Sequence, residues 1–308
     1  MALQHTPPAE AGDSGLEVPS WVDRAAYPFS VRSVRLPSGN AMRYVDEGRG
    51  DPILFVHGTP SWSFEWRHVI RALAPAQRCV APDLLGFGLS ERPRDFPYTP
   101  EAHSRELDAF VESLGLRNLT LVVHDFGGPI GLPLALERSG IVRRLVVLNS
   151  WMWPITDDPA MARAARLLGG GFGKFLYERV NLSPRVIMPG AYADRTKLTP
   201  AIHAQYLAPF PDRWSRGAVL WTLARALLAS STHYERLWSR RERLRRTPVL
   251  LIWGMRDPAF KPGTLARWRD AAPHASVVEL PVGHWPQEEA SDEVVRSLLE
   301  FISGHQEA

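Results

Sequence analysis

The chain has 308 residues, 45% of them hydrophobic and 22% charged, an ordinary globular composition with ample length to bury a sizeable core. Its 36 basic and 33 acidic residues leave a net charge of +3, too small and too scattered to mark a nucleic-acid-binding face. One cysteine, Cys79, excludes an internal disulfide framework, and no apolar run reaches the about 18 residues that a membrane span needs.

The N-terminal stretch "MALQHTPPAEAGDSGLEVPSW" has neither the basic nor the apolar region of a secretory signal. Its proline, glycine and acidic residues lead us to expect a loosely ordered arm over residues 1–27. A cytoplasmic protein with no membrane or nucleic-acid partner is expected.

From Ser30 the pattern turns to strands. "SVRSVRLPSG" and "NAMRYVDEG" are joined by Pro37-Ser38-Gly39, a hairpin signature in which glycine supplies the turn. "DPILFVHG" is a short continuous apolar strand that stops at His57-Gly58. "AQRCVAPDLLG", "LTLVVHDFGG", "VRRLVVLNSW", "TPVLLIWGMRD" and "ASVVEL" repeat the form. Amphipathic stretches alternate with them: "WRHVIRALA", "EAHSRELDAFVESLGL", "GPIGLPLALERSG" and, last, "SDEVVRSLLEFISG". Continuous apolar strands alternating with helices imply a mostly parallel sheet with helices on both faces. Polar residues and glycines gather at the C-terminal strand ends, where such sheets place their ligand sites.

Residues 153–246 interrupt the alternation. Helical stretches such as "AMARAARLLGGGFGKFLYERV" and "GAVLWTLARALLASSTHYERLWSRRERL" occupy the interval with no convincing strand. The expectation is an α/β core over 28–152 and 247–308 with an inserted helical cap over 153–246. The arginine cluster "SRRERLRR" at its end reads as a solvated helix face.

The chemistry concentrates at "VHDFGG". A strand runs into a tight turn flanked by glycines, the form of a nucleophile elbow, whose tip residue is strained and exposed. The usual tip is serine; here it is Asp125. Taken alone, the motif reads first as Asp125 capping the following helix, and it is the context that reverses this. Three further features supply context. "HGTP", His57 to Pro60, follows the preceding strand in the place that supplies an oxyanion-hole amide, which assigns the backbone N–H groups of Thr59 and Phe126 to that role. Asp257 lies just past a buried strand, and His284, in "LPVGHWPQEEA", follows the last one. The order Asp125, Asp257, His284 is nucleophile, acid, histidine. Asp83, also at a strand end, reads as a loop-shaping residue, and His57 and His124 as residues of the pocket floor. No zinc-type His/Cys spacing and no strand-linked glycine-rich phosphate loop occurs, so neither a metal nor a cofactor is expected.

These segments resemble the α/β-hydrolases that use an aspartate nucleophile, above all the haloalkane dehalogenases, with epoxide hydrolases as relatives. "RYVDEG", "ILFVHGTPSWSFEWR", "CVAPDLLGFGLSERP", "LVVHDFGGPIG", "LNSWMWP", "HAQYLAPFP" and "LLIWGMRD" carry the likeness from about Pro28 to the C-terminus. It implies an α/β-hydrolase fold and hydrolysis of a small apolar haloalkane through an aspartyl ester, which water activated by His284 then opens. Two positions depart from the family. Phe126 stands where the dehalogenases carry an indole donor for the departing halide, and Thr59 where many carry an asparagine. Trp62, Trp151 and Trp153 are candidates to replace the donor, and each fits aromatic core packing as well. Epoxide opening would need cap tyrosines, for which Tyr177, Tyr192, Tyr206 and Tyr234 are available. A non-catalytic ligand-binding role is the third expectation.

Overall fold

The structure, a computed structural model, describes residues 17–138 and 140–304. Eight strands form one sheet: β1 Val31–Arg35, β2 Ala41–Glu47, β3 Pro52–Val56, β4 Arg78–Pro82, β5 Leu119–Asp125, β6 Val142–Ser150, β7 Val249–Gly254 and β8 Ser276–Leu280. Their spatial order is β1-β2-β4-β3-β5-β6-β7-β8. The β1/β2 and β2/β4 pairs are antiparallel, and every later pair is parallel.

The continuous apolar strands serve two cores at once. Side chains alternate across a strand, so Leu54 and Val56 enter one cluster while Ile53 and Phe55 enter the other. β5 divides likewise, with Leu121 and Val123 on one side and Val122 on the other. Helices Pro100–Ser113 and Gly127–Glu137 cover the first face through Leu107, Phe110, Ile130 and Leu134. Helices Arg67–Leu73 and Ser291–Ser303 cover the second through Val69, Ile70, Val294 and Leu298. Helix Pro100–Ser113 starts where its sequence says it should. Thr99 Oγ1 accepts a 3.3 Å hydrogen bond from the Ala102 amide, and Pro100 occupies the first helical position.

Between β6 and β7 the described chain is helical, and it breaks more often than the sequence pattern suggests. The helical stretch over 160–180 is two helices, Pro159–Gly169 and Gly171–Val180, parted at the extended Gly170. The stretch over 217–244 divides again, at Ser230 and Arg240. The arginine cluster is a short tight helix, Arg241–Arg246, that buries Leu244 and leaves most of its arginines outside.

The N-terminal segment differs from the loose arm expected over 1–27. Residues 1–16 lie outside the described residues, but Val22 and Tyr27 are buried. Tyr27 Oη lies 2.6 Å from Ser63 Oγ, and the Trp21 ring meets Trp62 edge-on at 5.5 Å. Gln205, in the helical insertion, accepts from the Asp23 amide at 3.0 Å and donates to the Trp21 carbonyl at 3.0 Å. Aromatic side chains with a cavity to fill override a composition that looks like linker.

Candidate active site

The elbow forms at the end of β5. Asp125 has φ +49°, in the left-handed region that disfavours a residue with a Cβ. The turn is tight enough that only glycine fits behind it. A Cβ on Gly127 would overlap the Val56 carbonyl, and one on Gly128 would overlap Ser150 Oγ. Ser150 itself donates a 2.6 Å hydrogen bond to the Asp125 carbonyl and pins the corner to β6.

The loop after β3 closes over the carboxylate. The Thr59 amide donates to Asp125 Oδ1 at 2.9 Å. His57 anchors this loop: Nε2 accepts from the Leu84 amide at 3.0 Å, which leaves the proton on Nδ1 to be donated to the Gly58 carbonyl at 2.8 Å. Burial lowers the His57 pKa, in keeping with that neutral tautomer. Phe126 opens helix Gly127–Glu137, whose leading amides have no acceptor within the helix. Asp83 shapes a loop, accepting from the Ser63 and Leu89 amides at 2.8 Å each.

His284 sits between two carboxylates. Its Nδ1 is 2.7 Å from Asp257 Oδ2 and its Nε2 is 3.5 Å from Asp125 Oδ2. All three side chains are buried. Burial works against each charge, yet mutual attraction prevails. Asp125 stays below the usual carboxylate range because His284 and the Thr59 amide outweigh desolvation. Asp257 is lowered too, by His284, the Ala259 amide and Asn149 against the cost of burial. For His284 burial lowers and the two aspartates raise, with a net rise to about 10. The resting site therefore holds an imidazolium between two carboxylates.

Two positioning residues carried no signal in the sequence. Asn149, φ +30°, donates from Nδ2 to Asp257 Oδ2 at 2.8 Å and accepts from the Gly254 amide at 2.7 Å, so it holds the acid at a fixed distance from β6. Glu289 accepts from the Gly283 amide and from the Ala193 and Asp194 amides, each at 2.9 Å. With the His284 amide donating to the Ala191 carbonyl at 2.9 Å, it joins the histidine loop to the helical insertion. Beneath them His124 Nε2 donates to the His284 carbonyl at 2.8 Å.

Asp125 and His284 face a cavity of about 560 Å³ with a mostly apolar wall, closed by the insertion through residues such as Met161, Leu168 and Leu227. Thr59, Phe126 and Trp151 also line it. Trp151 is buried, its ring edge-on to Phe126 at 4.8 Å, and its indole N–H has no acceptor among the described residues. Trp62 and Trp153 are elsewhere, which corrects the expectation for both. The Trp62 indole donates to the Gln205 carbonyl at 2.9 Å inside an aromatic cluster with Tyr27 and Phe64. Trp153 packs against Trp238 and Trp268 under the Arg267 guanidinium. Of the four tyrosines in the insertion, Tyr177 alone lines the cavity. Tyr206 bonds to Glu288, Tyr234 donates to the Ala226 carbonyl, and Tyr192 stacks on Trp285.

Two substitutions test this geometry. Gly128→Ala forces a methyl into Ser150 and is expected to cost about 1–3 kcal/mol in denaturant unfolding, with loss of activity. Asn149→Ala is expected to leave unfolding cooperative while turnover falls about 10- to 100-fold, because Asp257 loses its fixed position; an unchanged kcat would remove Asn149 from the site.

The chain matches the family model described as "alpha/beta hydrolase fold" over residues 51–186 and 189–291. It is 39% identical to haloalkane dehalogenase 2 of Mycobacterium tuberculosis over 283 residues, covering 90% of this chain and 96% of that one. It is 32% identical to a cis-3-alkyl-4-alkyloxetan-2-one decarboxylase of Shewanella oneidensis, covering 86% of each chain. Among solved structures, haloalkane dehalogenase DbeA from Bradyrhizobium elkani superposes with a TM-score of 0.81 at 29% identity, over 90% of this chain and 98% of that one. With a parallel sheet of this order and a carboxylate at its elbow, the chain belongs to the α/β-hydrolase fold family and is an enzyme of the haloalkane dehalogenase type.

Proposed function

We propose that the protein hydrolyses a carbon–halogen bond of a small apolar haloalkane in two steps. The observation that carries this reading is the Asp125 carboxylate at the elbow, lining a mostly apolar cavity where a serine hydrolase has a hydroxyl. A carboxylate needs no base to attack saturated carbon. In the first step an Asp125 oxygen bonds to the carbon, and the halide leaves with the electron pair of the broken bond. The product is a neutral alkyl ester. In the second step water attacks Asp125 Cγ, and His284 Nε2 accepts its proton. The thwarted charge on the carboxyl oxygen is met by the Thr59 and Phe126 amides. Collapse expels the alcohol, which takes its proton from His284. The carboxyl proton that remains on Asp125 passes to His284, which restores the carboxylate and the imidazolium.

The halide needs a donor in a dry site, and Phe126 has none. Trp151 fills the role in this reading: its indole N–H is free of other acceptors, and its ring packs on Phe126 in the cavity wall. The helical insertion acts as a cap that excludes bulk water.

Ester formation also explains how an imidazolium becomes a base. While Asp125 is charged it helps to hold His284 protonated. Alkylation removes that charge, so the His284 pKa falls and its proton leaves to solvent, the one proton released per turnover, before water is activated.

A second reading is favoured by Tyr177. Burial and the Asp125 charge raise its pKa, so it stays a neutral donor in the cavity. That suits an oxygen leaving group in a strained ring, either an epoxide or the four-membered lactone named for the Shewanella relative.

Incubation with 1-bromoalkanes, a styrene-type epoxide and a cis-3,4-dialkyloxetan-2-one separates the readings. Halide release that Asp125→Asn abolishes supports the first, while ring opening without halide release supports the second. His284→Gln is expected to accumulate an alkyl adduct on Asp125, detected as a mass increase on its peptide; absence of the adduct after halide release would overturn the ester. Trp151→Phe should cut halide release about 10- to 100-fold, the loss of one donor to an anion in a buried site. In single-turnover measurements, halide release should hold as pH falls from 8 to 5, because Asp125 ionises below the usual range. Ester hydrolysis should slow over the same interval as His284 protonates. Parallel loss of both steps would contradict the assigned roles.

A further inference from the structure

The outer surface of the insertion is unlike the rest of the molecule. Among the described residues seven large apolar side chains are exposed, and six of them fall between 167 and 187: Leu167, Phe172, Phe175, Val180, Val186 and Ile187. Phe172 is 62% exposed and Phe175 53%. Soluble surfaces rarely gather apolar side chains in this way without a partner.

The arrangement is amphipathic. On helix Gly171–Val180, Phe172, Phe175 and Arg179 follow i, i+3, i+7 spacing and share one face. Gly173 and Tyr177 are buried on the other side. The Arg179 guanidinium lies 5.7 Å from the Phe175 ring centroid. The same stretch carries cations: Arg163, Arg166, Lys174, Arg179 and Arg185 are all exposed. The stretch from 159 to 187 contains a single acidic residue, Glu178, which lies 3.7 Å from Lys174 Nζ.

The patch reaches the cavity. Val186 and Ile187 are exposed on the surface and also line the cavity that holds Asp125 and His284. Leu168, next to Leu167, lines it as well. The cavity mouth therefore opens among the exposed apolar side chains.

We propose that this face docks peripherally on an anionic lipid bilayer, with Phe172 and Phe175 entering the interface and the cations of the same stretch meeting lipid phosphates. Aromatic residues flanked by Lys and Arg are the composition of an interfacial helix, and anionic headgroups complement the charge. A symmetric contact with a second copy would instead set five cations against five. Docked in this way, the cavity mouth faces the hydrocarbon, and an apolar substrate dissolved in the bilayer enters without first passing into water. The expectation of no membrane partner rested on the lack of a spanning run, and among the described residues no helix is long and apolar enough to cross a membrane. Surface docking needs no such helix.

Flotation of the whole chain with vesicles tests the proposal, using phosphatidylcholine alone and phosphatidylcholine with a third phosphatidylglycerol. Flotation requires no turnover, so its outcome is independent of the reaction assigned to the site. The wild type is expected to float with anionic vesicles and to be released at high salt. Phe172→Ser/Phe175→Ser and Arg163→Glu/Arg166→Glu should each reduce the bound fraction about 10-fold, while hydrolysis of a water-soluble substrate is unchanged because none of these residues lines the cavity. The proposal is overturned if the wild type stays with the soluble fraction. It is equally overturned if the protein dimerises in sedimentation and Phe172→Ser/Phe175→Ser makes it monomeric without altering flotation, which would assign the face to self-association.

Discussion

The site depends on one backbone constraint, the left-handed conformation of Asp125 at the end of β5. That conformation turns the carboxylate out of the sheet and starts the next helix within a residue. It costs on the order of 1–3 kcal/mol for a residue with a side chain, so its surroundings must over-determine it. They do so from three directions. Gly127 lets the β3 backbone approach and Gly128 leaves room for the Ser150 hydroxyl, Ser150 holds the Asp125 carbonyl, and the Thr59 amide holds the carboxylate. A serine hydrolase uses the same corner to expose a hydroxyl. Here the corner exposes a carboxylate, and the reaction proposed above follows from a nucleophile that needs no activation.

The electrostatics follow from burying that charge. Two carboxylates flank one imidazole in a buried volume: both aspartates raise the His284 pKa, and His284 lowers theirs against the cost of burial. Changing the charge of one member therefore changes the proton affinity of the next. Asn149 and the Ala259 amide keep Asp257 from moving when this happens. The histidine loop is held as much by the insertion as by the sheet, through Ala191 and Glu289. The insertion thus forms one wall of the cavity, positions the histidine, and carries the exposed apolar residues of the outer face.

Much of this was legible in the chain itself. The strands announced themselves as apolar runs of the right length, and Asp125, Asp257 and His284 stood at the ends of three of them, where a parallel sheet collects its ligand sites. The aromatic residues were not legible in the same way. Trp62, Trp151 and Trp153 are equivalent as letters; what separates them is that Gln205 accepts from the first, Trp238 and Trp268 enclose the third, and no described residue accepts from the indole of the second. Asn149 and Glu289 were missed because their partners are backbone amides and a carboxylate from distant segments, which leave no local pattern. The N-terminal segment was misjudged because its composition resembles a linker, while Trp21 and Tyr27 find their contacts only once Trp62 and Gln205 are in place.

The sequence by itself determined the sheet, the order of the three titratable residues and the position of the elbow, since all three are encoded in local runs and spacings whose physics is local. Only the tertiary structure decided which tryptophans line the cavity, which tyrosine does, what holds the acid and the histidine in place, and where the exposed apolar residues lie relative to the cavity mouth. Those depend on contacts between segments far apart in the chain, and such contacts exist only after the helical insertion has folded back over the strand ends.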